Sequence, residues 1–149
     1  MRIYTMTIHL QKLSVGSETV STLRDWQKLV VRRRVQRGLS PHHEHRTRMF
    51  PKNKDGLLQG GSIYWVIKGF IQCRNEIIAL EETKTRDGRR ACSILMKPKI
   101  ILVNPSPRRA FQGWRYLKPE DAPKDISADK QSISMPPELR AKLLSLGVW

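Results

Sequence analysis

The chain has 149 residues, of which 28 are lysine or arginine and 13 are aspartate or glutamate, so its formal net charge is +15. Its length and its hydrophobic content of 39% are typical of one globular domain and exclude a largely disordered chain. No apolar stretch approaches the roughly 18 residues of a membrane-spanning helix, and the N-terminus has no apolar signal segment. We therefore expect a cytoplasmic protein that does not contact membranes.

The positive charge is concentrated in the first part of the sequence. Residues 1–118 contain 24 Lys or Arg and 8 Asp or Glu, whereas residues 119–149 contain 4 and 5. A field of this sign attracts polyanions, and nucleic acid is the commonest polyanion in a cell. The sequence predicts a basic α+β domain over 1–118, followed over 119–149 by an extended linker and a terminal helix that pack on the same domain.

The first predicted elements are a strand and a helix. Thr7–Val15 alternates apolar and polar residues, which is typical of a half-buried strand. Ser17 or Ser21 can cap a helix that runs to about Arg37. The predicted core face of this helix consists of Val20, Leu23, Trp26 and Val30.

A polar segment over 39–55 shows no periodicity and is predicted to be a loop, closed by a short helix near Lys54–Leu58. Strands are predicted over Ser62–Lys68, Phe70–Arg74, Glu76–Glu82, Arg90–Met96, Lys99–Val103 and Ala110–Leu117. Pro105-Ser106-Pro107 should break the sheet, and Pro137 should begin a short C-terminal helix whose apolar stripe is Leu139, Leu143 and Leu146. This order favours an α+β fold with a small, curled, mostly antiparallel sheet or a pseudo-barrel.

The two cysteines, Cys73 and Cys92, lie in apolar strand-like segments. A hairpin closed at Asp87-Gly88 would place Cys92 opposite Thr83 and away from Cys73. We therefore expect two buried thiols and no disulfide bond.

Basic and aromatic residues mark the predicted nucleic-acid contacts. Arginine can hold phosphate while an aromatic ring stacks on a base of a single strand. If strands 62–68 and 110–117 are neighbours, the loops that precede them should emerge together. The predicted binding residues are Arg46, Arg48, Lys52, Arg108, Arg109, Trp114 and Arg115. The competing interpretation is that Phe111, Trp114 and Tyr116 belong to the core.

A cluster of histidines in the polar segment permits other interpretations. His43 and His45 with Arg48 could supply the acid, the base and the phosphate-holding cation of a small metal-independent nuclease or RNA-processing enzyme. A metal site is not expected, because the histidines lie in a loop and Arg46 and Arg48 would repel a cation. We expect a binding protein for RNA or another polyanion rather than an enzyme, with no cofactor. A domain that binds a small anionic ligand or an acidic protein stays open as a further alternative, and the sequence does not fix the oligomeric state.

Four long strings carry a family resemblance. They are HRTRMFPK (45–52), GGSIYWVIKGFIQCRNEI (60–77), RRAFQGWRYLKPEDAP (108–123) and MPPELR (135–140). With them the chain resembles the bacterial family of domain of unknown function 1489 from about Met6 onward, which implies that Met1–Thr5 are an extension or that translation starts at Met6. The family has no assigned activity, so the resemblance implies no catalytic residues. The order of elements around SIYWVIKG also resembles PUA-like domains, including the ASCH branch, many of which bind RNA.

Overall fold

A computed structural model describes residues 6–127 of the chain. In chain order these residues form β1 (His9–Leu13), α1 (Val20–Gln36), β2 (His43–Thr47), α2 (Lys54–Leu57), β3 (Ser62–Ile67), β4 (Phe70–Lys84), β5 (Arg90–Met96), β6 (Ile101–Pro107) and β7 (Trp114–Leu117). A 3₁₀ turn follows over Pro119–Asp121. The predicted C-terminal helix from Pro137 lies outside the described residues.

The strands form one bent, mostly antiparallel sheet in which β4 is the longest member. The first half of β4 lies between β3 and β6, and its second half pairs with β5, which in turn pairs with β2. On the other side β3 pairs in parallel with β1, and β1 pairs with β7. The predicted α+β class and mostly antiparallel sheet are confirmed, and the sheet does not close into a barrel.

β3 is the central strand that its composition predicts. All six residues of Ser62–Ile67 are buried, because apolar side chains face both sides of the sheet. The chain then turns through Lys68 and Gly69, whose φ angles are 50° and 83°. Two successive positive φ angles are typical of a tight hairpin turn, so Lys68 and Gly69 form the turn between β3 and β4.

The core lies on both faces of the sheet. The larger cluster contains Leu10, Ile63 and Trp65 with the inner residues of β5, and α1 covers it through Leu23. The smaller cluster lies on the opposite face and contains Tyr64, Val66, Ile71, Val103, Phe111 and Leu117. Segment 119–127 belongs to the same unit, because Ile126 packs in the larger cluster and Asp125 pairs with Val103.

Two details of the predicted first helix are wrong. Thr19, and neither Ser17 nor Ser21, caps α1, since its hydroxyl accepts the backbone N–H of Thr22 and the Thr22 hydroxyl accepts that of Thr19. Trp26 is 46% exposed, because the buried side of the helix is centred on Leu23 and on Gln27, one turn further along.

Three predicted strand boundaries also change. His43–Thr47 forms β2 within the segment predicted as a loop, because these residues pair with β5. β6 continues through Pro105-Ser106-Pro107 because its pairing with β4 is irregular between Leu102 and Ser106, so Pro105 need not donate to the ladder. β7 is shorter than predicted and begins after Gly113, which has a φ of 69°.

The hairpin between β4 and β5 forms where Asp87-Gly88 predicts it. Cys92 lies opposite Glu82, one residue from the predicted Thr83. Both cysteines are buried thiols with no disulfide bond between them. Burial raises the pKa of the Cys92 thiol to about 11, so it stays protonated at neutral pH.

Candidate nucleic-acid interface

Three segments meet at a cleft of about 440 Å³ on one face of the sheet. Lys12 comes from β1, residues 46–49 include the end of β2 and the two residues after it, and residues 112–114 end at the first residue of β7. Strand pairing explains the meeting, because Lys12 lies opposite Trp114 of β7 and opposite Trp65 of β3. β2 reaches the same face through His45, whose ring meets that of Trp65 edge-on at 5.4 Å.

Hydrogen bonds hold the wall of this cleft, which we call the basic cleft. The indole N–H of Trp114 donates to the carbonyl of Met49 at 2.9 Å. The hydroxyl of Tyr116 accepts the backbone N–H of Asn53 at 2.9 Å, and the Trp114 and Tyr116 rings meet at 4.9 Å. The segment after β2 is therefore tied to β7 at two points, the first of which directly follows Arg48.

The described side chains that line the basic cleft carry a net positive charge. Among the described residues, its lining includes Lys12, Arg46 and Arg48 and no acidic side chain. Burial lowers the pKa of Lys12, which is consistent with an ammonium held close to the sheet. Arg48 is exposed and forms no salt bridge with any residue of the described range 6–127.

The positive charge of Arg46 is only partly neutralised by the neighbouring carboxylate of Glu44. Its Nε lies 3.4 Å from Glu44, and 52% of its side chain is exposed. Glu44 also accepts a hydrogen bond from Ser93 and lies 3.5 Å from Arg34 of α1. Although burial raises the pKa of Glu44, the Ser93 hydrogen bond and the two arginines lower it below its usual value. The carboxylate therefore serves mainly to anchor β2, and the Arg46 guanidinium stays available at the cleft.

A second cleft of about 190 Å³ shares Arg48 with the basic cleft and reaches the β4–β5 hairpin. Arg89 and Arg90 line it, although each has an acidic partner, Asp87 at 3.2 Å and Glu82 at 2.8 Å. Lys12 and the two hairpin arginines were not among the binding residues predicted from the sequence. Their signal was weak, because Lys12 lies within a strand pattern and an arginine pair beside a turn is common on surfaces.

Arg108 lies on the opposite face of the sheet from the basic cleft. Its guanidinium donates to the side chain of Gln11 at 3.2 Å and to Ser106 Oγ at 2.7 Å. Gln11 and Lys12 are adjacent in β1, so their side chains point to opposite faces. The predicted convergence of Arg46 and Arg48 with Arg108 does not occur, because β1 separates β3 from β7.

The other predicted contacts are dispersed. Arg115 lies opposite Gln11 and stacks over the Phe111 ring at 4.9 Å, so it belongs to the face of Arg108. Arg109 and Lys52 are exposed and line neither cleft. The core interpretation of the aromatic residues holds in part: Phe111 is buried and Trp114 is half-buried, whereas Tyr116 is 39% exposed.

His43 and His45 point inward from β2 and do not form an accessible acid–base pair with Arg48. They lie opposite Met96 and Ile94, whose side chains belong to the larger core cluster. His43 is 1% exposed. Burial lowers its pKa to about 4, against a smaller opposing effect of the neighbouring carboxylate. Strand pairing thus explains why the predicted nuclease residues are not together at the surface.

His45 is partly buried, and its ring lies against that of Trp65. Its Nε2 is buried and has no hydrogen-bond partner among the described residues. Burial, with smaller contributions from Lys12 and His43, lowers its pKa to about 4. Within residues 6–127, no group of three or more His, Cys, Asp or Glu side chains is arranged to hold a metal ion. No helix in that range is long and apolar enough to cross a membrane.

A family model described as "Protein of unknown function (DUF1489)" matches residues 10–149. The chain belongs to the DUF1489 family. The match covers every strand and helix described above from Leu10 onward, so the resemblance predicted from the four strings is confirmed. No curated protein and no solved structure matches the chain significantly, and the likeness to PUA-like domains stays a prediction.

Proposed function

We propose that this DUF1489 protein binds single-stranded nucleic acid, RNA before DNA, through the basic cleft, and that it does so in the cytoplasm. The observation that carries the proposal is the arrangement of Lys12, Arg46 and Arg48 beside Trp114, in a cleft to which residues 6–127 contribute no acidic side chain. A cationic groove with an aromatic wall suits a single strand, since cations follow the phosphates and a ring can stack on a base.

Phosphate contact would supply most of the affinity. Arg46 and Arg48 can each bind a phosphate with two parallel hydrogen bonds, which a lysine cannot reproduce. The shared boundary at Arg48 would let a strand continue toward the hairpin arginines. Arg108 and Arg115 are left out of this site because their side chains lie on the other face of β1.

The proposal is tested by charge reversal with a matched control. Arg46→Glu combined with Arg48→Glu should weaken binding of a short single-stranded RNA by about tenfold or more, as measured by fluorescence anisotropy at low salt. The control is Arg32→Glu with Arg33→Glu, an equal charge change on the exposed side of α1. The two double variants are matched, since each removes one arginine that has a neighbouring partner. Arg33 lies 5.9 Å from the centre of the Trp26 ring, and Arg46 lies 3.4 Å from Glu44.

If both double variants weaken binding equally, affinity depends on net charge and the proposed site is wrong. If the unaltered protein binds no RNA at low salt, the function itself is wrong. A DNA strand with the same nucleotide sequence tests the preference for RNA. We expect the RNA complex to be tighter, because the 2′-hydroxyl offers an additional donor and acceptor.

A further inference from the structure

A pocket of about 300 Å³ lies on the face of the sheet opposite the basic cleft. It is an open depression, lined by His9 of β1, Tyr64 of β3, Arg74 of β4, Pro119 and residues 122–125. His9 precedes Lys12 by three positions in an extended strand, so the two side chains point to opposite faces. This pocket is therefore separate from the basic cleft, and a ligand could occupy one without entering the other.

Arg74 is held in place by three hydrogen bonds. It binds both carboxylate oxygens of Asp125, at 2.9 and 2.8 Å, and donates to Ser62 Oγ at 2.8 Å. These bonds use three of the five N–H donors of a guanidinium, and no described residue uses the other two. The hydrogen bond of Asp125 with Arg74, with the nearby positive charge, holds the pKa of the carboxyl below its usual value, so the pair stays ionised.

His9 presents a donor of known tautomer. Its Nδ1 lies 2.9 Å from the backbone nitrogen of Ser62 and accepts a hydrogen bond from that N–H. The ring proton of the neutral form therefore lies on Nε2. Burial, together with the charge of Arg74, lowers the pKa of His9, and the ring is neutral at pH 7. The N–H on Nε2 has no partner among residues 6–127.

Tyr64 and Lys124 add two further donors. The Tyr64 ring meets the His9 ring edge-on at 5.1 Å, and burial raises the pKa of its hydroxyl, which therefore keeps its proton. Lys124 is exposed at the rim, where its backbone carbonyl accepts the N–H of Asn104. The lining thus offers N–H and O–H donors from four side chains, while its one carboxylate is already bound to Arg74.

We propose that this pocket binds a small phosphate monoester. Four donor side chains beside a carboxylate that is already bound to Arg74 favour an oxyanion. The lining residues carry a net charge of +1 from Lys124, since Arg74 and Asp125 cancel. The three terminal oxygens of a phosphate are arranged tetrahedrally and can meet donors that approach from several directions, whereas the two oxygens of a carboxylate lie in one plane. The volume is at the lower end of the range for small-ligand pockets, so it fits a sugar phosphate or a mononucleotide.

Calorimetric titration of the whole protein tests the proposal with ribose 5-phosphate, AMP, adenosine and acetate as probes. Ribose 5-phosphate and AMP should saturate with a Kd at or below about 1 mM, whereas adenosine and acetate should not. Lys124→Gln should weaken binding about tenfold. Tyr64→Phe should weaken it about fivefold, because it removes one donor and retains the ring.

Two control variants separate this pocket from general charge and from the basic cleft. Lys28→Gln removes the same charge from the exposed surface of α1 and should leave the affinity for ribose 5-phosphate unchanged. Arg46→Gln with Arg48→Gln should also leave it unchanged. The proposal is overturned if neither phosphate ester binds, if acetate binds equally well, or if either control weakens binding as much as Lys124→Gln. The proposed RNA binding is independent of each of these outcomes.

Discussion

Asn75 lies at the centre of a buried polar network, and its replacement is expected to destabilise the fold more than the loss of any neighbour in that network. The residue is completely buried. Its Oδ1 accepts the indole N–H of Trp65 at 3.0 Å and the amide N–H of Gln27 at 2.9 Å. Its Nδ2 donates at 2.9 Å to Gln27 Oε1 and to the carbonyl of Lys97. The network therefore joins α1, β3, β4 and the end of β5.

The expected magnitude follows from the groups that are left without partners. Asn75→Leu keeps the branched shape of the side chain. It leaves the Trp65 N–H, both polar groups of the Gln27 amide and the Lys97 carbonyl without their hydrogen bonds to Asn75. Each buried group that is left without a partner costs about 1–3 kcal/mol. The free energy of unfolding should therefore fall by at least about 3 kcal/mol. Gln27→Met removes the partner but leaves Asn75 bonded to Trp65 and Lys97, so its cost should be about 1 kcal/mol.

Urea denaturation of the single and double variants measures these differences. Adding Gln27→Met to Asn75→Leu should restore part of the lost stability, because it removes the two polar groups of Gln27 that Asn75→Leu leaves without a partner. If Asn75→Leu costs no more than Gln27→Met, or if the double variant is less stable than Asn75→Leu, the network does not contribute as its hydrogen bonds indicate.

Two further predictions concern stability. Gly61→Ala should lower the free energy of unfolding by about 2 kcal/mol or more, because the added Cβ would overlap two backbone carbonyl oxygens. Gly60→Ala has open space around the added Cβ and should lower it by about 1 kcal/mol, because alanine disfavours the positive φ at this position. Thermal melting of both variants checks this order, and equal losses of stability would refute it. The free energy of unfolding should fall as the pH drops from 6.5 toward about 4, because His43 and His45 bind protons in the unfolded state that burial keeps off them in the folded state. His43→Gln combined with His45→Gln should make the urea midpoint less dependent on pH. A pH dependence that is unchanged in this variant would contradict the burial of the two rings.

Most of the sheet could be predicted because its strands carry ordinary signals. Ser62–Ile67 is apolar on both faces, and Asp87-Gly88 lies between two runs with strand propensity. β2 was missed because its inward positions are His43 and His45, and histidine does not mark a core face in a hydropathy pattern. Trp26 was misplaced because helical spacing allowed it on the apolar face, and only tertiary packing selects Leu23 and Gln27.

The candidate site was predicted only in its local parts. Arg46 and Arg48 lie in the polar segment and Trp114 in the aromatic one, and the structure brings these together. Lys12 was not predicted because its role depends on the insertion of β1 between β3 and β7, a parallel pairing that no local pattern encodes. The same insertion directs Arg108 to the other face, where the pocket of His9 and Arg74 also lies.

The salt dependence of RNA binding by two neutralised variants tests the central claim most directly. Each phosphate contact of a single strand contributes about 0.7 to the slope of log affinity against log salt concentration, so Arg46→Gln with Arg48→Gln should reduce that slope by about 1.4. Arg32→Gln with Arg33→Gln should leave it unchanged. A slope that is the same in the unaltered protein and in the Arg46 and Arg48 variant, or that falls equally in both variants, would contradict binding at the basic cleft.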